Sequence, residues 1–415
     1  MNTSALITND AVVLGLLAVI LGVVFKTEAS EHPFFKKFYK YVPALLLCYF
    51  IPSLLNTFNI VDGEKSSLYY VASRFLLPAC LVLLTISIDL KGIVNLGPKA
   101  LILFLTGTFG VVIGGPISLL LISVISPDLI GVDGPNAVWR GMTTVAGAWI
   151  GGGANQAAMK EMYDVGGDIF SAMVTVDIIV ANIWVAILLL MAANHKKIDE
   201  RTGADISAIE ALKSKVNLLQ EQQKVAPTLH QLMLVLAVGF GVTGFGHFCA
   251  DILAPYFASH YDWAAKYSLT SPFFWLIVVV TTLGITLSFT KVRIIEHYGA
   301  SKIGTSFLYI LIATVGLHMN VRAIAETPIY FAIGCIWMLI HAGLMLTVAK
   351  LIRAPLFFMA VGSQANIGGA ASAPVIASAF HPSLAPVGVL LAVLGYGVGT
   401  YMAYICGLLL QAIAV

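Results

Sequence analysis

Charge is what this sequence has least of. Of 415 residues only 23 are Lys or Arg and 21 are Asp or Glu, 11% of the chain, while 59% are hydrophobic; a water-soluble domain carries about 25% charged residues. So few ions cannot solvate a globule of this length, which excludes soluble enzymes, nucleic-acid binders and secreted scaffolds. The net charge of +2 supplies no basic field for nucleic acid or an acidic substrate. Cysteine is scarce too. Cys48, Cys80, Cys249, Cys335 and Cys406 stand singly inside apolar runs, which argues against a disulfide framework or a metal site and makes them expected core residues. No basic stretch precedes the first apolar run and no small-residue cleavage site follows it, so that run is expected to remain as a spanning helix. The sequence also lacks a zinc-type His-Glu-x-x-His, a phosphate loop and a Gly-x-Ser-x-Gly elbow. The expectation is a protein that is not an enzyme and has no resident cofactor or metal.

What the chain has instead is apolar runs of about 18 to 25 residues, the length of a helix that crosses roughly 30 Å of hydrocarbon. Runs such as Ile183 to Met191 are continuously apolar, unlike the alternating strands of a membrane barrel. The predicted fold is all-α and polytopic. Twelve segments are read, near 10–26, 41–58, 69–88, 99–125, 138–160, 168–193, 229–255, 271–290, 302–319, 328–350, 355–378 and 384–414. Residues 195–228 divide them into a first repeat, 1–194, and a second, 229–415. This linker holds 11 of the 44 charges. Ile206, Ile209, Leu212, Val216 and Leu219 recur in it at helical spacing, so it is expected to be a polar cytoplasmic connector with an amphipathic helix.

The two halves repeat each other. Residues 85–93 match 315–324, and Trp149-Ile150-Gly151-Gly152-Gly153-Ala154-Asn155-Gln156 matches Asn366-Ile367-Gly368-Gly369-Ala370-Ala371-Ser372. Bases follow segments one and three in the first half (Lys26, Lys36, Lys37, Lys40, Lys91, Lys99). In the second half they follow six, eight and ten (the linker bases, then Lys291, Arg293, Lys302, Lys350, Arg353). Basic residues mark the cytoplasmic side, so the bias flips between halves. Twelve simple spans forbid such a flip, so either one segment does not span simply or the charge signal misleads. The reading is inverted repeats with 11 to 13 segments, an odd number of true spans being favoured, in the inner (plasma) membrane.

Glycine clusters inside an apolar helix free backbone groups that lipid cannot satisfy, so they survive only where protein or a water-filled cavity surrounds them. Matching interrupted segments in two repeats point to a secondary transporter's binding site, where half-helix ends supply N–H donors and carbonyls. The candidate substrate-binding residues are therefore Thr143, Thr144, Gly151, Gly152, Gly153, Asn155 and Gln156 in the first half, with Ser363, Gln364, Asn366, Gly368, Gly369 and Ser372 in the second. An ionisable residue deep in an apolar run is expensive and defaults to a functional role. Asp177 is the sharpest case. With Asn155, Asn182 and Thr400 it forms the candidate coupling-ion set, for Na⁺ or H⁺. Arg74 is read as a partner for an acid or an anionic substrate, or as a snorkelling helix-end residue. Asp89, Asp251, His318, Asn320 and His341 are read as structural.

The glycine-amide runs, together with Gly395-Tyr396-Gly397-Val398-Gly399-Thr400-Tyr401, resemble an uncharacterised family of bacterial and plastid integral membrane proteins, the YjcL-like proteins. That resemblance spans essentially the whole chain and implies no assigned activity. In arrangement rather than motif, the chain is also similar to the superfamily of bile acid/sodium symporters, glutamate/sodium symporters and cation/proton antiporters. This second likeness implies crossing discontinuous helices and an elevator-like core, segments five, six, eleven and twelve with parts of three and nine, moving against a scaffold that can also dimerise. The function read from all this is an ion-coupled secondary transporter embedded in the lipid bilayer. Its solute is small and polar, zwitterionic or anionic: an amino acid, a short peptide or a carboxylate. A cation/proton antiporter and a channel or non-transporting receptor are the alternatives.

Overall fold

The computed structural model describes residues 6–39, 42–63, 65–204, 227–319 and 328–415. Among them the chain is helical, with one isolated bridge between Ile7 and Val61. The first half contains α1 (Asp10–Glu28), α2 (Pro33–Tyr39), α3 (Ala44–Thr57), α4 (Leu68–Thr85), α5 (Leu90–Asn95), α6 (Pro98–Ser123), α7 (Val138–Met162) and α8 (Gly167–Ala193). A short α9 (His195–Thr202) opens the linker. The second half contains α10 (Leu229–His260), α11 (Pro272–Ser288), α12 (Ala300–Gly316), α13 (Pro328–Leu351), α14 (Leu356–Ile367), α15 (Gly369–Phe380) and α16 (Ala385–Ala414). The amphipathic pattern from Ile206 to Leu219, and Asn320, lie outside the described residues.

Seven of these helices (α1, α4, α6, α8, α10, α13 and α16) are long and apolar enough to cross a bilayer, and α11 and α12 have 17 residues each, the lower limit for crossing. Large apolar side chains cover the outside: α10 alone exposes Leu229, Met233, Leu234, Phe240, Phe245, Phe248 and Ile252. Water would not tolerate so continuous a patch, but lipid does. The protein is therefore an all-α, multi-pass membrane protein. Of the five cysteines, Cys48, Cys80 and Cys406 are core residues as expected, whereas Cys249 is half-buried and Cys335 is exposed on the apolar exterior.

Polar contacts sort the helix ends into two groups. At one end Arg293 pairs with Asp89 at 3.1 Å, Lys99 Nζ donates to the Arg353 carbonyl at 3.3 Å, and Asp199 accepts from the Leu356 amide at 2.8 Å. At the other, Asp10 accepts from Ser66 Oγ at 2.7 Å, and the amides of Gly131 and Gly166 donate to the carbonyls of Ala414 and Pro135, each at 2.7 Å. We call the first the basic end. Helix α1 begins at the opposite end, where Asp10 lies. Helix α10 begins at the basic end, where its Val235 packs with Ile86, Ile295 and Ala300. The halves thus run in opposite senses.

Two apolar segments turn back instead of crossing. In α7, Gly152 adopts φ 73°, ψ −171°, a conformation open essentially to glycine alone. A Cβ on Gly147 would lie 2.6 Å from the carbonyl oxygen of Asn155; along an unbroken helix those residues are about 12 Å apart. The two arms of α7 therefore fold against each other, and Tyr163, just past the helix end, meets Trp139 near its start edge-to-face at 5.9 Å. We call α7 the first hairpin; it enters from the end opposite the basic one. In the second half the break falls between α14 and α15, where Gly369 has φ 58°. Phe357 near the start of α14 lies 5.5 Å from Phe380 at the end of α15, itself 5.4 Å from His195. This second hairpin enters from the basic end. Two hairpins explain the flip in basic residues without an odd total, since a hairpin returns the chain to the side it entered. Hydropathy could not make that distinction, because both arms are as apolar as a span.

The backbone at Gly152 yields a clean expectation. Its nearest neighbour to an added Cβ is Tyr396 at 3.8 Å, and Gly369 has none within 4 Å, so alanine fits in space at both and pays only for its backbone. Gly152→Ala is expected to lower unfolding stability by about 1 to 3 kcal/mol and Gly369→Ala by about 1 to 2 kcal/mol, measured by chemical denaturation in detergent micelles. Equal stability of all three proteins would mean that the breaks are not enforced by these dihedrals.

Candidate functional site

The hairpin tips meet on α16. A Cβ on Gly395 would lie 2.7 Å from the carbonyl oxygen of Ile150, just before the first break, and 3.5 Å from that of Ala365, just before the second. Gly395 of α16 is therefore the floor on which both broken helices rest, and Gly399, one turn on, lies against Gly151 of the first. Asn155 locks the first tip there: Nδ2 donates to the carbonyls of Gly151 and Tyr396, both at 3.1 Å, and Oδ1 accepts from Thr400 Oγ1 at 2.6 Å. Asn366 locks the second tip to α6, donating to the carbonyls of Phe104 and Gly362 at 2.9 Å and accepting from Thr108 Oγ1 at 2.7 Å. Both amides are fully buried and hold backbone, so neither is left to face a solute. The amides at these positions hold the crossing in register.

Asp177 sits on α8 against the first hairpin. Its Oδ1 accepts from Trp149 Nε1 at 2.7 Å and its Oδ2 from Gln156 Nε2 at 3.1 Å, one donor from each arm of α7. Tyr49 on α3 donates to Gln156 Oε1 at 3.2 Å. The coupling-ion set read from the sequence is therefore split. Thr400 belongs with Asn155 at the tip, and Asn182 lies on the exposed face of α8, its amide bonded back to the Ile178 carbonyl at 2.7 Å. Thr143 and Thr144 bond carbonyls of their own helix, Arg140 and Gly141, at 2.6 and 2.7 Å, well before the break.

In the second hairpin Ser363 accepts from Trp184 Nε1 at 2.8 Å and lies 2.8 Å from His341 Nε2, whose Nδ1 faces the Gly107 carbonyl at 3.1 Å. A carbonyl only accepts, so Nδ1 carries the proton and Nε2 accepts from Ser363. His341 thus bridges α6 and the second hairpin. Gln364 Nε2 donates to Ser372 Oγ at 2.6 Å across the break, while Gln364 Oε1, fully buried, has no partner. Turning the amide over would only exchange which of its two polar atoms is left over. Gly151, Gly368 and Gly369 line the breaks, with Gly153 facing Leu308 and Ile312 of α12.

A cavity of about 500 Å³ opens at the basic end and reaches inward to Ala370, in the first turn of α15, and to Tyr396, the residue whose carbonyl Asn155 holds. Its mouth carries Asp89, Arg293, Glu296 and Lys302. A neighbouring cavity of about 550 Å³ shares Asp89, Arg293 and Glu296. Burial pushes the Glu296 carboxyl above its ordinary range, against hydrogen bonds from Ser301 that hold it down. At the opposite end lies a cluster the sequence reading missed. Glu161, in the last turn of the first hairpin, pairs with Arg74 at 2.8 Å and accepts from Tyr69, whose hydroxyl also takes a bond from Lys160 Nζ at 2.8 Å. Arg74 sits on a π-helical turn, Ala72–Leu76, and covers the Phe273 ring at 4.5 Å. It pairs with an acid, one of its three expected roles. Lys160 and Glu161 read as a helix end; only the fold-back of α7 puts them inside. Asp89 caps α5 through the Gly92 amide at 3.0 Å, the His318 ring lies tilted against Tyr69 at 4.6 Å, and Asp251 is exposed.

Residues 15–413 match the family described as "Protein of unknown function (DUF819)". The chain belongs to that family. A curated relative, the uncharacterised membrane protein YjcL of Bacillus subtilis (strain 168), is 24% identical over 357 residues, covering 83% of this chain and 84% of YjcL. The family carries no activity in its description, so chemistry has to be argued from the hairpins and the two helix ends.

Proposed function

We propose that this protein is a secondary active transporter whose solute site lies at the crossing of the two hairpins. The observation that carries this reading is the asymmetry about the crossing: a cavity leads to it from the basic end, while an ion cluster covers the opposite end. A site reachable from one side at a time is what alternating access requires. By the positive-inside rule the basic end is cytoplasmic, so this is an inward-open arrangement in the plasma membrane. The first turn of α15 at the cavity floor, with no side-chain cap, offers backbone N–H groups, and the spare polar atom of Gln364 lies in the same break. These suit a small zwitterionic or anionic solute better than a lipid. Movement of the hairpins and α8 with α16 against the other helices would carry the site across, as in an elevator. Asp177 also suits a cation/proton antiporter, in which that carboxylate would itself carry the exchanged ion.

Two measurements test this. Amino acids, dipeptides and organic acids are screened for thermal stabilisation of the purified protein in lipid nanodiscs, where a ligand at 100 times its Kd adds about 2.7 kcal/mol. Ala370→Cys is then labelled with a membrane-impermeant thiol reagent. Labelling is expected from the basic end alone, slowed by the stabilising solute. Labelling from both ends at once would make the protein a channel, and a screen in which no solute stabilises it would leave a non-transporting receptor.

A further inference from the structure

We propose that Asp177 is the proton-binding site of this protein, and that its coupling ion is H⁺ rather than Na⁺; the second half of that statement rests on the transporter reading. The carboxylate is buried, and what faces it is hydrogen: Trp149 Nε1–H on Oδ1 and Gln156 Nε2–H on Oδ2. A bound Na⁺ needs oxygen atoms turned toward it, typically freed carbonyls of a broken helix. Here the carbonyls of Gly151 and Tyr396 beside the break each already accept a bond from Asn155. A cation beside Asp177 would meet the fixed Trp149 N–H dipole on one side and, in the present amide orientation, the Gln156 N–H on the other. Among the described residues no group of three His, Cys, Asp or Glu side chains gathers anywhere.

The groups packed around the carboxylate leave it without a cationic partner. From α3 comes the Tyr49 phenol, through Gln156. On α13, His341 is turned to Gly107 and Ser363. On α7, Lys160 is engaged with Tyr69 and Glu161, with its ammonium 5.6 Å from the Phe170 ring. Helices α14 and α15 carry no titratable side chain. A charge held only by neutral donors in an apolar wall is costly to carry through hydrocarbon. One proton from water removes that charge.

The shell accepts a proton by turning over one amide. Protonated at Oδ2, Asp177 donates O–H to Gln156 Oε1 once the amide turns over, and the amide N–H then donates to the Tyr49 hydroxyl oxygen. Trp149 keeps its bond to Oδ1. Nothing but the proton is gained, and the chain Tyr49 to Gln156 to Asp177 reverses its direction, with the Tyr49 O–H giving up Gln156 Oε1 as its acceptor. Protonation is thereby read out on α3, and the arm of α7 that carries Gln156 is released from a charged anchor.

Infrared difference spectroscopy of the full chain in lipid tests this with no solute present. The expected result is a protonated-carboxyl C=O band that disappears as pH is raised, with the same midpoint in Na⁺ and K⁺ salts, and that is missing from Asp177→Asn. A midpoint that follows Na⁺ activity, or a band unchanged in Asp177→Asn, overturns the proposal. Should Asp177→Asn fail to fold, Gln156→Leu decides: it removes a stronger bond from the charged form than from the protonated one, so the protonated band is expected to persist about one pH unit higher, and an unmoved midpoint overturns the proposal. A titrating band in a protein that no solute stabilises would defeat the transporter reading and leave the proton site standing. A solute-binding protein whose midpoint tracks Na⁺ would do the reverse.

Discussion

Replacing Glu161 by Gln is expected to destabilise the protein by about 3 to 5 kcal/mol, the usual cost of removing one partner from a buried ion pair. The size follows from what remains. The Glu161 and Lys160 side chains are 11% and 10% exposed, and Arg74 lies with its guanidinium over Phe273. Gln keeps the shape and can still accept from Tyr69, but it leaves two cations in an apolar wall with only the exposed Asp164 carboxylate nearby. Reorganisation costs more than the lost contact itself. The double variant Lys160→Met with Glu161→Gln should recover part of the loss, because it removes one of the stranded charges; the coupling between the two sites is read from a double-mutant cycle. Chemical denaturation measures the first effect, and thiol labelling at the end opposite the basic one measures its consequence. The cluster ties the first hairpin to the π-turn of α4, so Glu161→Gln should also raise labelling there. A variant within about 1 kcal/mol of the parent would place the cluster in solvent, where ion pairs are worth little.

This cluster also shows where the sequence stops being legible. The apolar runs, the two breaks and Asp177 could be read directly, since each is a local signature: hydropathy over a helix length, glycine where no other residue tolerates the dihedral, one acid in an apolar run. The partners could not. Trp149 and Gln156 lie 28 and 21 residues before Asp177 and face it together only because the chain reverses at Gly152. The same reversal draws Lys160 and Glu161 inside, and it depends on packing against α16 rather than on any property of residues 160 and 161. Asn155 and Asn366 misled in a different way. Their amides stood out as polar groups in apolar surroundings, a pattern shared by a solute ligand and a backbone clamp, and hydrogen-bond partners 241 to 262 residues away in sequence mark the present contacts as clamps.

Gly395→Val is expected to have an effect of similar size at the crossing itself, about 3 kcal/mol or more of lost stability, at the upper end of overpacking costs. The added Cβ would stand 2.7 Å from the Ile150 carbonyl oxygen and 3.5 Å from that of Ala365. Both are backbone atoms of hairpin tips, so no rotamer change relieves the clash and the tips must part. Gly397→Val, two residues on in the same helix, supplies the control. Its Cβ would meet the Cδ1 atoms of Ile285 and Ile88 at 3.0 Å, ends of flexible side chains that can give way, and a helix interior favours Val over Gly by a few tenths of a kcal/mol. Gly397→Val is therefore expected to stay within about 1 kcal/mol of the parent and to keep any stabilisation by solute, whereas Gly395→Val should lose both stability and solute response. If the two variants unfold alike, or if Gly395→Val still responds to the solute that stabilises the parent, contact of the two tips on α16 is not what forms the site.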